Sequence, residues 1–239
     1  MDSTIGIIIG IVAFVVLFSA ALAIANHSSE RFMQEYEKTG KIYINEGIDV
    51  LDFVHMLNHS RFDDKLRVQE VKEDTNNFYY SKKKVVGLSK KTLTSNSLAS
   101  FAIVAHEMGH AMQDKQGNKL KTHNFLRKLG SFIGFLFLPA IIAGIVLLFF
   151  GINFRIYSYI CFGVAGGILF LAIFIKAITI SIEKDASKIG IEFLKEIMSE
   201  KEVLACKKLL NKARLTYWGD LFRLLLAWTF LTRKTPMFR

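Results

Sequence analysis

The sequence is poor in the residues that stabilise small secreted domains and in those that interrupt regular structure. Its 239 residues include only two cysteines and two prolines. Two cysteines, Cys161 and Cys206, are too few for a disulfide scaffold or a four-cysteine zinc module. The scarcity of proline excludes a proline-rich linker, and a hydrophobic content of 51% excludes a disordered chain.

Acidic residues are also scarce: the chain has 21 aspartates and glutamates but 31 lysines and arginines. A formal net charge of +10 would suit a nucleic-acid-binding protein, but a mean hydropathy of +0.32 argues against that class. High apolarity with an excess of basic residues is typical of a membrane protein whose basic loops lie on an anionic lipid surface. We therefore expect the lipid bilayer, and no nucleic acid, among its partners.

Three long stretches lack charged residues altogether: 5–25, 131–150 and 156–175. Each is long enough, as a helix, to cross about 30 Å of hydrocarbon. The first could instead be a cleaved signal peptide, but residues 1–4 contain no lysine or arginine, so we predict a retained anchor. A fourth apolar stretch, 221–231, is too short to span and predicts a buried or interfacial helix.

Glycines four residues apart occur in two of these stretches, Gly6 with Gly10 and Gly163 with Gly167. Such spacing lets helices approach each other closely. We predict that both pairs pack within the chain, with pairing between two copies as the alternative.

Basic residues near the ends of the three stretches indicate the orientation in the membrane. Those on one side are Arg31, Lys38, Lys41, Arg127, Lys128, Lys176 and Lys184. Only Arg155 and the amino terminus lie on the other side. The basic side is predicted to be cytosolic. The chain then divides into an anchor (1–25), a polar cytosolic region (26–128), a helical hairpin in the membrane (129–175) and a cytosolic helical region (176–239).

The polar region combines helical and strand patterns. Apolar residues recur at helical spacing over 47–57. Short runs of β-forming residues at 66–71, 77–80 and 84–88, separated by turn residues, predict a small antiparallel sheet of two or three strands. The predicted fold is therefore mainly α, a multi-pass membrane protein with a small antiparallel sheet.

The next pattern carries chemistry. Apolar residues every three to four positions predict a helix from residue 98 to about residue 114, with Asn96 or Ser97 as its N-cap. This helix contains His106, Glu107 and His110 in the order H-E-x-x-H, as in zincin peptidases. Residues i and i+4 share a face, so both imidazoles can bind one Zn²⁺. The intervening glutamate can then act as general base toward a metal-bound water.

A zinc hydrolase needs a third protein ligand. The metzincin pattern would require a histidine at position 116, where this chain has Gln116. Asp114 is about 12 Å along a straight helix from His106 and cannot join the site. His123 is an alternative ligand, although it lies in a polar stretch and is predicted to be exposed.

No acidic residue occurs between Asp114 and Glu183. Because the chain crosses the membrane twice between the H-E-x-x-H helix and Glu183, both lie on the cytosolic side. We therefore predict His106, His110 and Glu183 as the zinc ligands. Asp185 is a candidate for the outer partner that holds a zinc-bound histidine through its second ring nitrogen.

Several segments resemble a known family, the YugP-type membrane zinc metallopeptidases of bacteria. The segments are HEMGHAMQ at 106–113, EKDAS at 183–187, KKVVGLS at 83–89 and LTY at 215–217. The resemblance covers nearly the whole chain. It implies a multi-pass membrane zinc peptidase with His106, His110 and Glu183 as ligands and Glu107 as base.

The leading hypothesis is a zinc peptidase that cuts a peptide or protein substrate near the membrane. A strand near 84–89 could pair with an extended substrate, and Tyr217 could stabilise the oxyanion. The alternative is a non-catalytic metal-binding scaffold or chaperone, which would have no need of Glu107. A channel or transporter is disfavoured, because the predicted spans lack charges.

Overall fold

A computed structural model describes residues 2–44, 47–72, 76–117 and 119–225. The fold is mainly helical, as predicted. The helices are α1 (Asp2–Thr39), α2 (Val50–Phe62), α3 (Lys90–Thr94), α4 (Leu98–Gln116), α5 (Lys119–Phe149), α6 (Arg155–Leu194) and α7 (Glu200–Leu225). The strands are β1 (Arg67–Val71), β2 (Phe78–Tyr80) and β3 (Val85–Ser89).

The H-E-x-x-H helix α4 lies at the centre of the polar region. It begins at the predicted boundary, where Ser97 Oγ accepts a hydrogen bond from the Ser100 amide at 3.3 Å. Asn96 serves a different purpose, since its Oδ1 accepts from the Val50 amide and ties α2 to the start of α4. Almost every residue of α4 is buried, and the helix packs against α6 and α7. A helix that is buried all round can hold polar side chains away from bulk water.

The predicted antiparallel sheet is wrong in its topology. The strand order is β1-β3-β2, with β1 parallel and β2 antiparallel to β3, so the sheet is mixed. Lys84, in the left-handed conformation with φ of 52°, turns the chain between β2 and β3. β1 pairs with the edge of β3 that is opposite to β2. Parallel strands need a long connection, and here the connection from β1 to β3 includes β2.

The two apolar stretches after α4 form a hairpin of two long helices, α5 and α6. In the described part of the chain, two helices are long and apolar enough to cross a membrane, Leu120–Phe149 and Ile152–Leu194. A β-carbon on Gly130 would lie 3.2 Å from the Ile175 side chain, so the inner ends of the two predicted spans are level. Residues 5–25 belong to α1, and their role as a membrane anchor stays a prediction.

Helices α4 and α6 cross at very short distance. A β-carbon on Gly109 would lie 2.2 Å from the Ala186 carbonyl oxygen, and one on Gly190 would lie 2.6 Å from the Ala105 carbonyl oxygen. Both obstacles are backbone atoms, which side-chain rotation cannot relieve. Glycine at these two positions therefore lets α6 lie directly against the H-E-x-x-H helix.

Among the described residues, a β-carbon on Gly163 or Gly167 would meet no atom within 4 Å, so the described part of the chain contradicts the predicted packing of this pair. The packing of the other pair, Gly6 and Gly10, lies outside what the structure describes.

The predicted segment boundaries after residues 25, 128 and 175 fall inside the continuous helices α1, α5 and α6. Each predicted membrane segment therefore continues as a helix into the polar region. The predicted interfacial stretch 221–231 extends α7 to Leu225 and otherwise lies outside the described residues.

Candidate metal centre

The structure brings together the three side chains that the sequence analysis assigned as metal ligands. His106 and His110 come from successive turns of α4, and Glu183 comes from α6. Glu183 Oε2 lies 3.2 Å from His106 Nε2 and 3.4 Å from His110 Nε2. All three side chains are buried, and their nearest ligand atoms lie within 4.8 Å of one another.

The second nitrogen of each imidazole already has a hydrogen-bond partner. His106 Nδ1 lies 3.1 Å from Ser187 Oγ, and His110 Nδ1 lies 3.0 Å from Gln113 Oε1. Gln113 is fixed in turn, because its Nε2 donates to the Ile182 carbonyl at 2.8 Å. These contacts direct both Nε2 atoms toward the same point, as outer partners of metal-bound histidines do.

These residues fit a zinc ion. The decisive observation is the environment of one oxygen atom of Glu183. Glu183 Oε2 is buried and has no hydrogen-bond partner within the described residues, although two imidazole nitrogens face it. Leaving a buried carboxylate oxygen unpaired is costly, whereas a cation between this oxygen and the two nitrogens would satisfy all three atoms. Two imidazoles and one carboxylate form a common donor set for catalytic zinc.

Electrostatics in the cluster couple the ligands. Burial lowers the pKa of His110, but the nearby Glu183 carboxylate, with a smaller effect from the charge of Glu107, raises it to about 9. A metal ion therefore competes with a proton for His110, so we expect metal binding to release protons.

Glu107 lies beside the ligands and is only 4% exposed. Burial raises the pKa of Glu107 above its ordinary value, and the charges of His106 and His110 oppose that effect without cancelling it. The backbone of Tyr79, in strand β2, also interacts with the Glu107 carboxylate, an effect that lowers the pKa of Glu107. The sheet therefore fixes this carboxylate as well as the helix that carries it.

His123 departs from the sequence analysis. It was predicted to be exposed in a polar loop, but it lies in the first turns of α5, is 6% exposed and faces the cluster. Its Nε2 is 3.0 Å from Glu183 Oε1, and its ring stacks on that of His110 at 6.0 Å between centroids. The prediction failed because α5 begins well before the uncharged stretch and carries its polar first turns into the core.

Helix α7 closes the other side of the site. A small pocket is lined by His106, Glu183, Ser187, Leu210, Ala213, Arg214 and Tyr217. The ring of Tyr217 also lies 5.0 Å from Lys176 Nζ. A hydroxyl and a guanidinium from α7 thus share a pocket with two of the three candidate ligands.

The comparison with family models agrees with this centre. A model described as "Putative neutral zinc metallopeptidase" matches residues 7–232. The chain belongs to this zinc metallopeptidase family. No match was found among curated proteins or among solved structures. Membership implies zinc as the metal, in agreement with the donor set.

The structure gives a physical explanation for the sequence motifs. The EKDAS segment supplies the carboxylate of Glu183, the close backbone contact of Ala186 with Gly109, and the hydroxyl of Ser187. Gln113 ends the segment HEMGHAMQ and holds His110.

Asp185 is partly exposed, and the contacts described above assign the outer positions on the two histidines to Ser187 and Gln113. A role for Asp185 at the metal stays a prediction. Counting acidic residues could reveal Glu183, but it could not reveal neutral partners such as Ser187 and Gln113.

Proposed function

We propose that this protein is a membrane-bound, zinc-dependent peptidase with Glu107 as its general base. The observation that carries the proposal is the unpaired Glu183 oxygen facing two imidazole nitrogens, with the buried carboxylate of Glu107 beside it. A binding-only metal site has no use for a fourth buried ionisable side chain that is not needed as a ligand.

His106, His110 and Glu183 would hold the metal, and the site would keep one position open for water or substrate. Bound zinc supplies Lewis acidity toward the scissile carbonyl and lowers the pKa of its water. Glu107 accepts a proton from the attacking water and transfers it to the leaving amine. Its raised pKa makes the second transfer, from a protonated carboxyl, easier than it would be from an ordinary glutamate.

Two polar side chains of α7 that line the pocket are candidates for stabilising the oxyanion. Tyr217 and Arg214 line the pocket together with His106 and Glu183. A hydroxyl or guanidinium at this position can donate to the oxygen on which charge develops during hydrolysis. Tyr217, the residue named from the sequence, therefore stays our proposal, with Arg214 as its neighbour.

The substrate-pairing strand needs correction. The strand at 84–89 is β3, which is hydrogen-bonded on both sides and buried throughout, so it has no free edge for an added strand. Strand β2 is an edge strand, and its Tyr79 contacts the catalytic carboxylate. We propose that an extended substrate lies along β2, where main-chain groups are available for pairing.

The position of the site in the helices supports action near the membrane. Glu183 and His123 both lie eight residues from the predicted cytosolic ends of the spans, at residues 175 and 131. Eight helical residues correspond to about 12 Å. A substrate chain emerging from lipid would reach this depth within a few extended residues.

The test combines metal analysis with hydrolysis by the purified full-length protein. We expect one zinc per wild-type chain and cleavage of a peptide library. Glu107→Gln should retain zinc and lose about 10²–10⁴-fold in rate, because it keeps the shape of the side chain but removes the base. Glu183→Ala should lose zinc and activity together.

Two outcomes would contradict the proposal. Wild-type protein that binds no zinc after mild purification would exclude the metal centre. Zinc-loaded wild-type protein that cleaves no peptide faster than Glu107→Gln would favour the metal-binding scaffold instead.

A further inference from the structure

The site contains one buried polar side chain that the proposed mechanism does not use, His123. Neither of its ring nitrogens makes a hydrogen bond of regular geometry with any described residue. The ring is nonetheless buried at 6% exposure, at the start of a helix whose neighbouring positions are largely exposed. A buried polar group without a partner costs about 1–3 kcal/mol, so its presence needs an explanation.

The nearest polar atom explains it. His123 Nε2 lies 3.0 Å from Glu183 Oε1, which is a hydrogen-bond distance, and only the N–H direction departs from the ideal. Rotation about the broad χ2 torsion of a histidine aligns an N–H with such an oxygen at little cost. An imidazole N–H bonded to an ionised carboxylate is among the stronger protein hydrogen bonds.

The two oxygens of Glu183 are therefore used differently. Oε2 faces the Nε2 atoms of His106 and His110, whereas Oε1 faces His123. A carboxylate free to rotate would exchange these oxygens and would leave the metal without a fixed third ligand. Holding one oxygen directs the other.

We propose that His123 is a positioning residue, which donates an N–H to Glu183 Oε1 and thereby presents Oε2 to the metal. The inference rests on the proposed zinc centre but goes beyond it. His123 is not a fourth ligand, because the group of ligand atoms within 4.8 Å of one another contains His106, His110 and Glu183 but not His123, whose Nε2 lies beside the other Glu183 oxygen, Oε1. A fourth protein ligand would also close the position that hydrolysis needs.

This role connects the metal centre to the hairpin. His123 belongs to α5 and Glu183 to α6, the two helices that form the apolar hairpin. The contact between them joins the helices at the level of the metal. The third ligand is thus held from both arms of the hairpin, whereas the two histidine ligands are supplied by α4.

The test measures zinc affinity by competition with a chromophoric chelator, so that it does not depend on activity. His123→Leu removes the donor and should weaken zinc binding about 10–100-fold, the usual cost of losing an outer partner. His123→Gln places an amide N–H near the position of Nε2 and should restore affinity to within a few fold. His123→Asn, which is equally polar but shorter, should not restore it. His55→Leu, at an exposed histidine, is the control and should change nothing.

Cobalt substitution separates positioning from ligation. The visible spectrum of the Co²⁺ protein reports coordination number, so it should keep the same form in wild-type protein and in His123→Gln. Two results would overturn the inference while leaving the zinc centre intact. One is unchanged zinc affinity in His123→Leu, and the other is the loss of one cobalt ligand in both His123→Leu and His123→Gln. Wild-type protein without zinc affinity would overturn both.

Discussion

At the scale of single residues, neutral side chains determine how the charged ones are used. Ser187 and Gln113 carry no charge, yet each occupies the Nδ1 atom of one ligand histidine. Such contacts fix the orientation and the tautomer of the imidazole, so that Nε2 carries the free lone pair. The candidate metal centre therefore depends on neutral residues that are not themselves metal ligands.

We expect Gln113→Ala to weaken zinc binding about 10–100-fold. The reason is that His110 loses the acceptor at Nδ1, and the Ile182 carbonyl loses its donor. Chelator competition measures the change. Gln113→Glu keeps a hydrogen-bond acceptor for His110 Nδ1 and should therefore retain much of the zinc affinity. This result would identify the lost hydrogen bond to His110 as the cause of the weaker binding in Gln113→Ala. An Ala variant with wild-type affinity would show that this contact does not orient His110.

The residue scale also shows what a sequence can reveal about this site. Glu183 could be inferred because the chain between it and Asp114 contains no other carboxylate. His123 could not be placed, since the same polar composition suits an exposed turn and the first turn of a helix that enters a core. Only the packing of α5 against the cluster distinguishes the two.

At the scale of elements, the crossing of α4 and α6 decides whether the ligands meet. Gly190→Ala would place a β-carbon 2.6 Å from the Ala105 carbonyl oxygen and 2.7 Å from its carbonyl carbon. Because neither backbone atom can turn aside, α6 has to move outward and take Glu183 with it. We expect a loss of about 1–3 kcal/mol in stability together with weaker zinc binding.

Gly163→Ala in the same helix is the matched control for that substitution. A β-carbon there meets no atom of the described residues within 4 Å, so thermal stability should not fall and zinc affinity should stay at the wild-type level. Thermal unfolding in detergent and chelator competition measure both variants. Equal behaviour of the two alanine variants would mean that the close crossing does not control the site.

A second element contact joins the sheet to the end of α4. Asp114 accepts hydrogen bonds from the Tyr79 hydroxyl at 2.7 Å and from Lys84 Nζ at 2.6 Å. Partial burial raises the pKa of Asp114, but these hydrogen bonds, with one from Ser81, outweigh it and hold the pKa below its ordinary value. The folded state therefore favours the ionised carboxylate.

The sign of the pH dependence follows from that lowered pKa. The stability that Asp114 contributes is fully present above the unfolded-state pKa of about 3.9 and is lost as the pH falls through the lower folded-state value. We expect Asp114→Asn to lower the thermal midpoint at pH 7 and the difference from wild type to shrink below about pH 4. Lys84→Met should produce the same trend. A difference that is constant over this range would contradict the assignment.

The sheet marks the limit of prediction at this scale. β-forming residues and turn residues revealed three strands and their approximate positions. Strand order could not be read, because β3 follows β2 along the chain in either arrangement and alternation alone does not say which strand has neighbours on both sides. Burial of all five β3 residues, visible only in the fold, makes β3 the central strand.

At the scale of the whole molecule, the orientation in the membrane can be tested by cysteine labelling. The native Cys206 is a poor target, because burial, with a smaller effect from Glu202, raises its thiol pKa to about 12. Cys161→Ser therefore gives a suitable background. Single cysteines at the exposed positions Lys41, Lys121 and Lys201 should stay unlabelled by an impermeant reagent added to intact cells.

Ile152→Cys provides the positive control for that experiment. Ile152 lies between the two hairpin helices, is 74% exposed and is predicted to face outward. It should be labelled from outside. Labelling at any of the three lysine positions in intact cells would reverse the proposed orientation.

The order of the ligands along the chain has a consequence for biosynthesis. The two histidines of α4 precede the hairpin, and Glu183 lies in its second helix, α6, beyond the predicted span. A chain still attached to the ribosome therefore exposes an incomplete ligand set until both hairpin helices have been made. On this arrangement, a product truncated within α5 carries Glu107 but lacks Glu183, so its candidate ligand set is incomplete. In the peptidase that we propose, hydrolysis would therefore become possible only after both hairpin helices had been made.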